Sequence, residues 1–124
     1  MSTPTVNHLA VVSIRTSRIS ETVDFYQNVI GLSGVANHGH QAAFGLGSGL
    51  FLVITESDEE TDPTPKQPRY PRLAFAVPDL DQCITQLKKH DIDMPWGVEG
   101  NRQDRWVEFY DPGGNLIELA QFGK

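Results

Sequence analysis

Asp111-Pro112-Gly113-Gly114-Asn115-Leu116-Ile117-Glu118-Leu119 is a turn followed by a strand. Its first five residues are all turn formers, each for its own reason: proline presets φ, glycine supplies positive φ, and Asp and Asn bond their own backbone. The four after them are apolar except for Glu118. Upstream, Trp106-Val107-Glu108-Phe109-Tyr110 mixes large apolar residues with a carboxylate and reads as the partner strand. The chain therefore closes on a hairpin that carries two glutamates in an apolar setting.

Working outward, Tyr70 to Val77 reads as a strand. Pro78-Asp79-Leu80 opens a helix with Asp79 as its cap and Ile84 and Leu87 on its apolar face. That helix ends near Lys88 to His90, and a short strand is expected around Trp96 to Glu99. The first half has the same order. Val6 to Val12 is a strand, and Ser17 to Ile30 has helical period through Ile19, Val23, Tyr26 and Ile30. Ser17 or Ser20 could cap this helix and Gly31 can end it. Strands are expected around 34–38, 41–46 and 50–55. Between the halves, Glu56 to Asp62 and then Pro63, Pro65 and Pro68 mark an exposed connection. His8-Leu9-Ala10 aligns with Arg72-Leu73-Ala74, and Gly49 to Ile54 aligns with Gly114 to Leu119, with one inserted residue between the two alignments. The order is βαβββ twice, and neither half has core enough to stand alone.

The chain has 124 residues, 10 basic and 16 acidic, for a formal charge of −6. That length suits one domain. The charge disfavours a nucleic-acid backbone or an acidic membrane as partner. The single cysteine, Cys83, cannot form an internal disulfide, no apolar run is long enough to cross a bilayer, and Met1 to Val6 lacks a signal core, so a cytoplasmic location is expected.

The chain resembles the vicinal-oxygen-chelate superfamily of glyoxalase-like enzymes, extradiol dioxygenases and bleomycin- or fosfomycin-resistance proteins. His8-Leu9-Ala10-Val11, Phe25-Tyr26-Gln27-Asn28-Val29-Ile30-Gly31-Leu32 and the closing hairpin carry the resemblance, which covers essentially the whole chain. It implies an α+β fold, with two tandem βαβββ modules, 5–56 and 70–122 of a single domain 1–124, forming a curved mixed sheet around a shared cup. Metal-using members place one ligand on the first and one on the last strand of each half, which here means His8, Val53, Arg72 and Glu118. Val53 has no donor atom and Arg72 is a cation. The resemblance therefore implies no cofactor, with at most a weakly bound divalent metal on His8 and Glu118. It also implies a homodimer.

Strand alternation supplies a map of the lining. His8, Ala10 and Val12 share one face, as do Phe51, Val53 and Thr55, then Arg72, Ala74 and Ala76, then Leu116, Glu118 and Ala120. Leu9, Val11, Leu52, Ile54, Leu73, Phe75, Ile117 and Leu119 are expected to face the helices. A buried Glu118 needs a counter-group. Arg72 is the first candidate and His8 the second. An Arg72–Glu118 pair could brace the halves or grip a ligand. Trp106, Glu108 and Tyr110 share a face and could stack on a flat or cationic ligand, or simply fill the interior.

The expected function is a small-molecule binding protein of the glyoxalase/bleomycin-resistance type. Arg72, Trp106, Glu108, Tyr110, Phe51 and Val53 would line its ligand, with His8 and Glu118 as the groups able to move a proton. A metal-dependent lyase or isomerase acting on a small oxygenated substrate is the alternative, and a non-catalytic interaction protein the third.

Overall fold

The computed structural model describes residues 4–58 and 72–123. Most of the acidic, proline-rich connection, and the start of the strand expected from Tyr70, lie outside the described residues. Strand β1 (Val11–Thr16) leads into helix α1 (Ile19–Asp24), which continues as a π-helical turn over Phe25–Val29. Strands β2 (Ala36–Asn37), β3 (Gln41–Gly45) and β4 (Phe51–Glu56) complete a sheet of order β1-β4-β3-β2. The second half repeats this with β5 (Leu73–Ala76), α2 (Leu80–Lys89), β6 (Glu99–Gly100), β7 (Asp104–Tyr110) and β8 (Leu116–Phe122), in the order β5-β8-β7-β6. In each half the first strand runs parallel to the last and the remaining pairs are antiparallel. No helix among the described residues is long and apolar enough to cross a membrane.

One curved sheet around a shared cup is not what forms. There are two separate four-stranded sheets, and among the described residues no strand pair joins them. The physical reason is local. Each first strand is hydrogen-bonded to the last strand of its own half, so each ladder is complete within its module. The halves meet through side chains instead.

Local sequence explains the helices. The Asp79 carboxylate accepts the Gln82 N–H at 3.1 Å and caps α2, while Lys88 and Lys89 sit in its last turn. Neither serine caps α1. Arg18 stands at that N-cap without a side-chain bond. Thr16 Oγ1 accepts the Arg18 N–H at 2.9 Å and meets Thr22 Oγ1 at 2.8 Å. Gly31, at φ +90°, ends the segment in a conformation that side chains resist.

The first strand has the opposite phase to the one expected. Val12 and Ile14 pack on the core, while Val11 lies beside Phe51 on the outer face and is 48% exposed. Leu9-Ala10-Val11-Val12 has no polar residue to mark its phase. Ser13 and Arg15, both exposed, are the markers, and they place Val11 outside.

One core joins the modules. Val23, Phe25 and Tyr26 from the first helical segment pack with Leu52 and Ile54 of β4, Leu80 and Leu87 of α2, and Phe109 and Ile117 of the closing hairpin. The rings of Phe25 and Phe109 lie 6.2 Å apart. At the seam, the Tyr26 hydroxyl donates to Asp111 Oδ2 at 2.7 Å. Asp111 Oδ1 accepts from the backbone N–H of Gly113 at 2.9 Å and of Asn115 at 2.8 Å. Burial pushes the Asp111 carboxyl up, and these donors pull it back. Asn115 Nδ2 reaches across to the Arg15 carbonyl at 2.9 Å. Gly113 fits against β1 so closely that a Cβ there would meet Thr16 Oγ1 at 2.5 Å.

Replacing Tyr26 with Phe removes a buried donor to a carboxylate and keeps the ring. Urea unfolding is expected to show a loss of about 1.5–3 kcal/mol. A loss below about 0.5 kcal/mol, the range of ordinary surface substitutions, would show that the bond does not hold the seam.

Candidate functional site

On the second sheet, alternation separates two chemistries. Val107, Phe109, Ile117 and Leu119 face the core. Trp106, Glu108 and Tyr110 of β7 point the other way, opposite Ala120, Glu118 and Leu116 of β8. Ala74 of β5 pairs with Glu118, and Glu99 of β6 pairs with Trp106. Arg72 precedes β5 on the same face. On this face lies an open pocket of about 340 Å³ lined by Arg72, Glu99, Glu108 and Glu118 together with Trp106, Ala120 and Phe122. A cavity of 330 Å³ on the other side of the sheet, walled by Leu32, Phe75, Leu87, Leu119 and Cys83 among others, has no charged lining residue.

The charges set the character of the pocket. Arg72 Nη1 lies 2.9 Å from Glu108 Oε1, with side-chain exposures of 23% and 10%. The carboxylate that the guanidinium meets directly is thus Glu108, and Glu118 feels the cation electrostatically. Burial first, then the negative charge of Glu108, push the Glu118 carboxyl up, and Arg72 pulls it down. Burial and Glu108 likewise raise Glu99, against Arg72 and Trp106. The Tyr110 hydroxyl is raised by burial and Glu108. Its ring lies 6.3 Å from that of Trp96.

Of the residues expected at the site, Arg72, Trp106, Glu108 and Glu118 line one pocket. His8, Phe51, Val53 and Tyr110 are not among its lining residues. His8 is exposed and its ring lies over Gly49, where a Cβ would come within 3.1 Å of Nε2. Phe51 and Val53 sit on the outer face of the first sheet beside Val11 and Ser13. Glu99 was missed. Its strand has only two residues, and no alternation marks so short a segment. Its one signal is the glycine after it, which lets β6 come close enough to β7 that a Cβ at Gly100 would meet the Trp106 ring at 2.9 Å.

The donor set does not fit the family's divalent metal. A guanidinium stands in this pocket against its most buried carboxylate. Among the described residues, no group of three or more His, Cys, Asp or Glu side chains is arranged to hold an ion. Catalytic zinc-like sites take three protein donors.

Paired βαβββ modules, with a charged pocket on the face of one sheet away from the helices, define the class of domain. The chain belongs to the glyoxalase/bleomycin resistance protein/dioxygenase superfamily, whose family model matches residues 5–119. The metallothiol transferase FosB of Staphylococcus haemolyticus (strain JCSC1435) is 25% identical over 118 residues, covering 92% of this chain and 81% of that protein. Among solved structures, the fosfomycin resistance protein FosX from Listeria monocytogenes superposes with a TM-score of 0.75 at 21% identity, covering 94% of each chain. TnmS3, an antibiotic binding protein from Streptomyces sp. CB03234, superposes with a TM-score of 0.66 at 24% identity, covering 98% of this chain and 100% of its own.

The raised carboxyls fix a pH dependence. Glu99, Glu118 and Asp111 bind protons more readily folded than unfolded. Their stabilisation is complete below the ordinary carboxylate range and is lost as pH rises through the folded-state values. The melting temperature is therefore expected to fall as pH rises above the ordinary carboxylate range, and Glu118→Gln to flatten that slope. A melting temperature that rises with pH above that range contradicts the assignment.

Proposed function

We propose that this chain binds a small organic molecule on the outer face of its second sheet. The observation that carries this reading is the pocket itself, where charges of both signs stand beside the rings of Trp106 and Phe122. A few polar groups in a partly apolar wall are what orient a small ligand. Arg72 and Glu108 position each other, Trp106 offers a stacking surface, and Glu118 accepts hydrogen bonds. Relatives named for antibiotic binding and fosfomycin resistance support the reading. A lyase or isomerase would draw on Glu118, whose raised carboxyl suits it to take a proton from carbon. Stoichiometric divalent metal in elemental analysis would favour that alternative over simple binding.

The test is a screen of small organic compounds by NMR. Binders are expected to shift the Trp106 indole N–H signal, and Trp106→Ala to weaken them by about tenfold or more, as for a buried aromatic anchor. Binders that shift only signals remote from Trp106 would refute the pocket.

We further propose a homodimer. Val6, Leu9, Val11 and Phe51 are 82, 65, 48 and 46% exposed. They adjoin the open edge of β1, and a second copy would cover them. Light scattering is expected at twice the chain mass of 13.8 kDa. A single-chain mass in dilute solution would remove the proposal.

A further inference from the structure

Three features of the pocket describe the missing half of its chemistry. The first is charge. Among the described lining residues there are three carboxylates, Glu99, Glu108 and Glu118, and one guanidinium. Arg72 is drawn to Glu108, the most buried of the three. Glu118 stands directly across the β7–β8 ladder from Glu108 and adds a second negative charge to that point. Among the described residues this set faces a single cation, so the described lining carries more acidic than basic groups.

The second feature is an unmet hydrogen bond. Glu99 Oε1 is buried, and among the described residues no donor reaches it. Buried acceptors are almost always satisfied, and each exception calls for an explanation. A donor brought by a ligand supplies one. The third is the wall. Trp106 and Phe122 contribute aromatic rings to the lining, and Ala120 a small side chain. Cations are attracted to the faces of such rings.

From these we infer that the ligand carries a protonated primary or secondary amine, its N–H groups on Glu99 and Glu118 and its carbon skeleton against Trp106. The inference rests on the reading of this pocket as a ligand site and names the ligand's chemistry. A carboxylate or phosphate ligand would meet three like charges, while the available cation is already held against Glu108. A neutral amide would leave the charge unbalanced. A quaternary ammonium would balance the charge but has no N–H for Glu99 Oε1.

Calorimetric titration with four probes of one skeleton separates these cases: phenethylamine, its trimethylammonium analogue, N-acetylphenethylamine and hydrocinnamate. Phenethylamine is expected to bind at least about tenfold more tightly than the other three, the worth of one charge-assisted hydrogen bond. Glu99→Gln keeps the shape of the side chain and is expected to weaken the amine by a similar factor. A cooperative melting transition will show that this variant is folded. Tightest binding by hydrocinnamate or the amide, or a trimethylammonium analogue equal to the amine, overturns the inference and leaves the pocket standing as a ligand site. Amine affinity unaffected by Glu99→Gln in the folded variant also overturns it. Silence from all four probes overturns it too, whereas the pocket as a ligand site falls only if the wider compound screen fails as well.

Discussion

The hydrogen bond from Tyr26 to Asp111 ties the two halves of this molecule at one buried point. Asp111 has two tasks there. One carboxylate oxygen gathers the backbone of its own turn, through the N–H groups of Gly113 and Asn115, and the other receives the tyrosine from the opposite module. The turn thus cannot hold its shape independently of the seam. Its neighbours press the same point. Gly113 leaves no room for a side chain against Thr16, and Asn115 bonds the Arg15 carbonyl. Because among the described residues the two sheets share no backbone ladder, side-chain contacts of this kind, with the common apolar core, set where one module lies on the other.

That constraint reaches the pocket through β7 and β8. Both strands leave the Asp111 turn, and both carry site residues on their outer face. Inward side chains such as Phe109 and Ile117 are locked in the core, which fixes the register that sets Glu108 opposite Glu118. Two like charges facing each other across a ladder destabilise it. Arg72, arriving from the start of β5, offsets part of that cost at Glu108. The rigid hairpin therefore holds an electrostatic arrangement that it would not adopt for stability alone, which is the usual character of a functional face.

Family membership and site chemistry part company here. The matched family spans nearly the whole chain, and solved relatives superpose over nearly their full length. Yet the positions that resemble metal ligands hold His8 on an exposed segment over Gly49, Val53 on the outer face of the first sheet, Arg72 paired with Glu108, and Glu118 among like charges. A shared backbone does not carry one chemistry with it, because the reactive groups are few and each is a single substitution away from another role.

The order of elements, the repeat, the α2 cap at Asp79 and the outward face of the closing hairpin were legible in the sequence. Turn formers, period and alternation are local properties, and each of these features rests on residues close in the chain. The pairing of Arg72 with Glu108 rather than Glu118 was not legible, since both glutamates share one face and only the path of the chain before β5 selects between them. The phase of β1 was marked only by Ser13 and Arg15, which lie beyond the unmarked apolar run Leu9 to Val12. Two separate sheets in place of one curved one, the Tyr26–Asp111 bond and the arrival of Glu99 at the pocket all depend on segments remote in sequence meeting in space. Local sequence determined what each segment became. Only the packing of one module on the other decided which segments met, because the energy of that packing belongs to contacts that no single stretch of the chain contains.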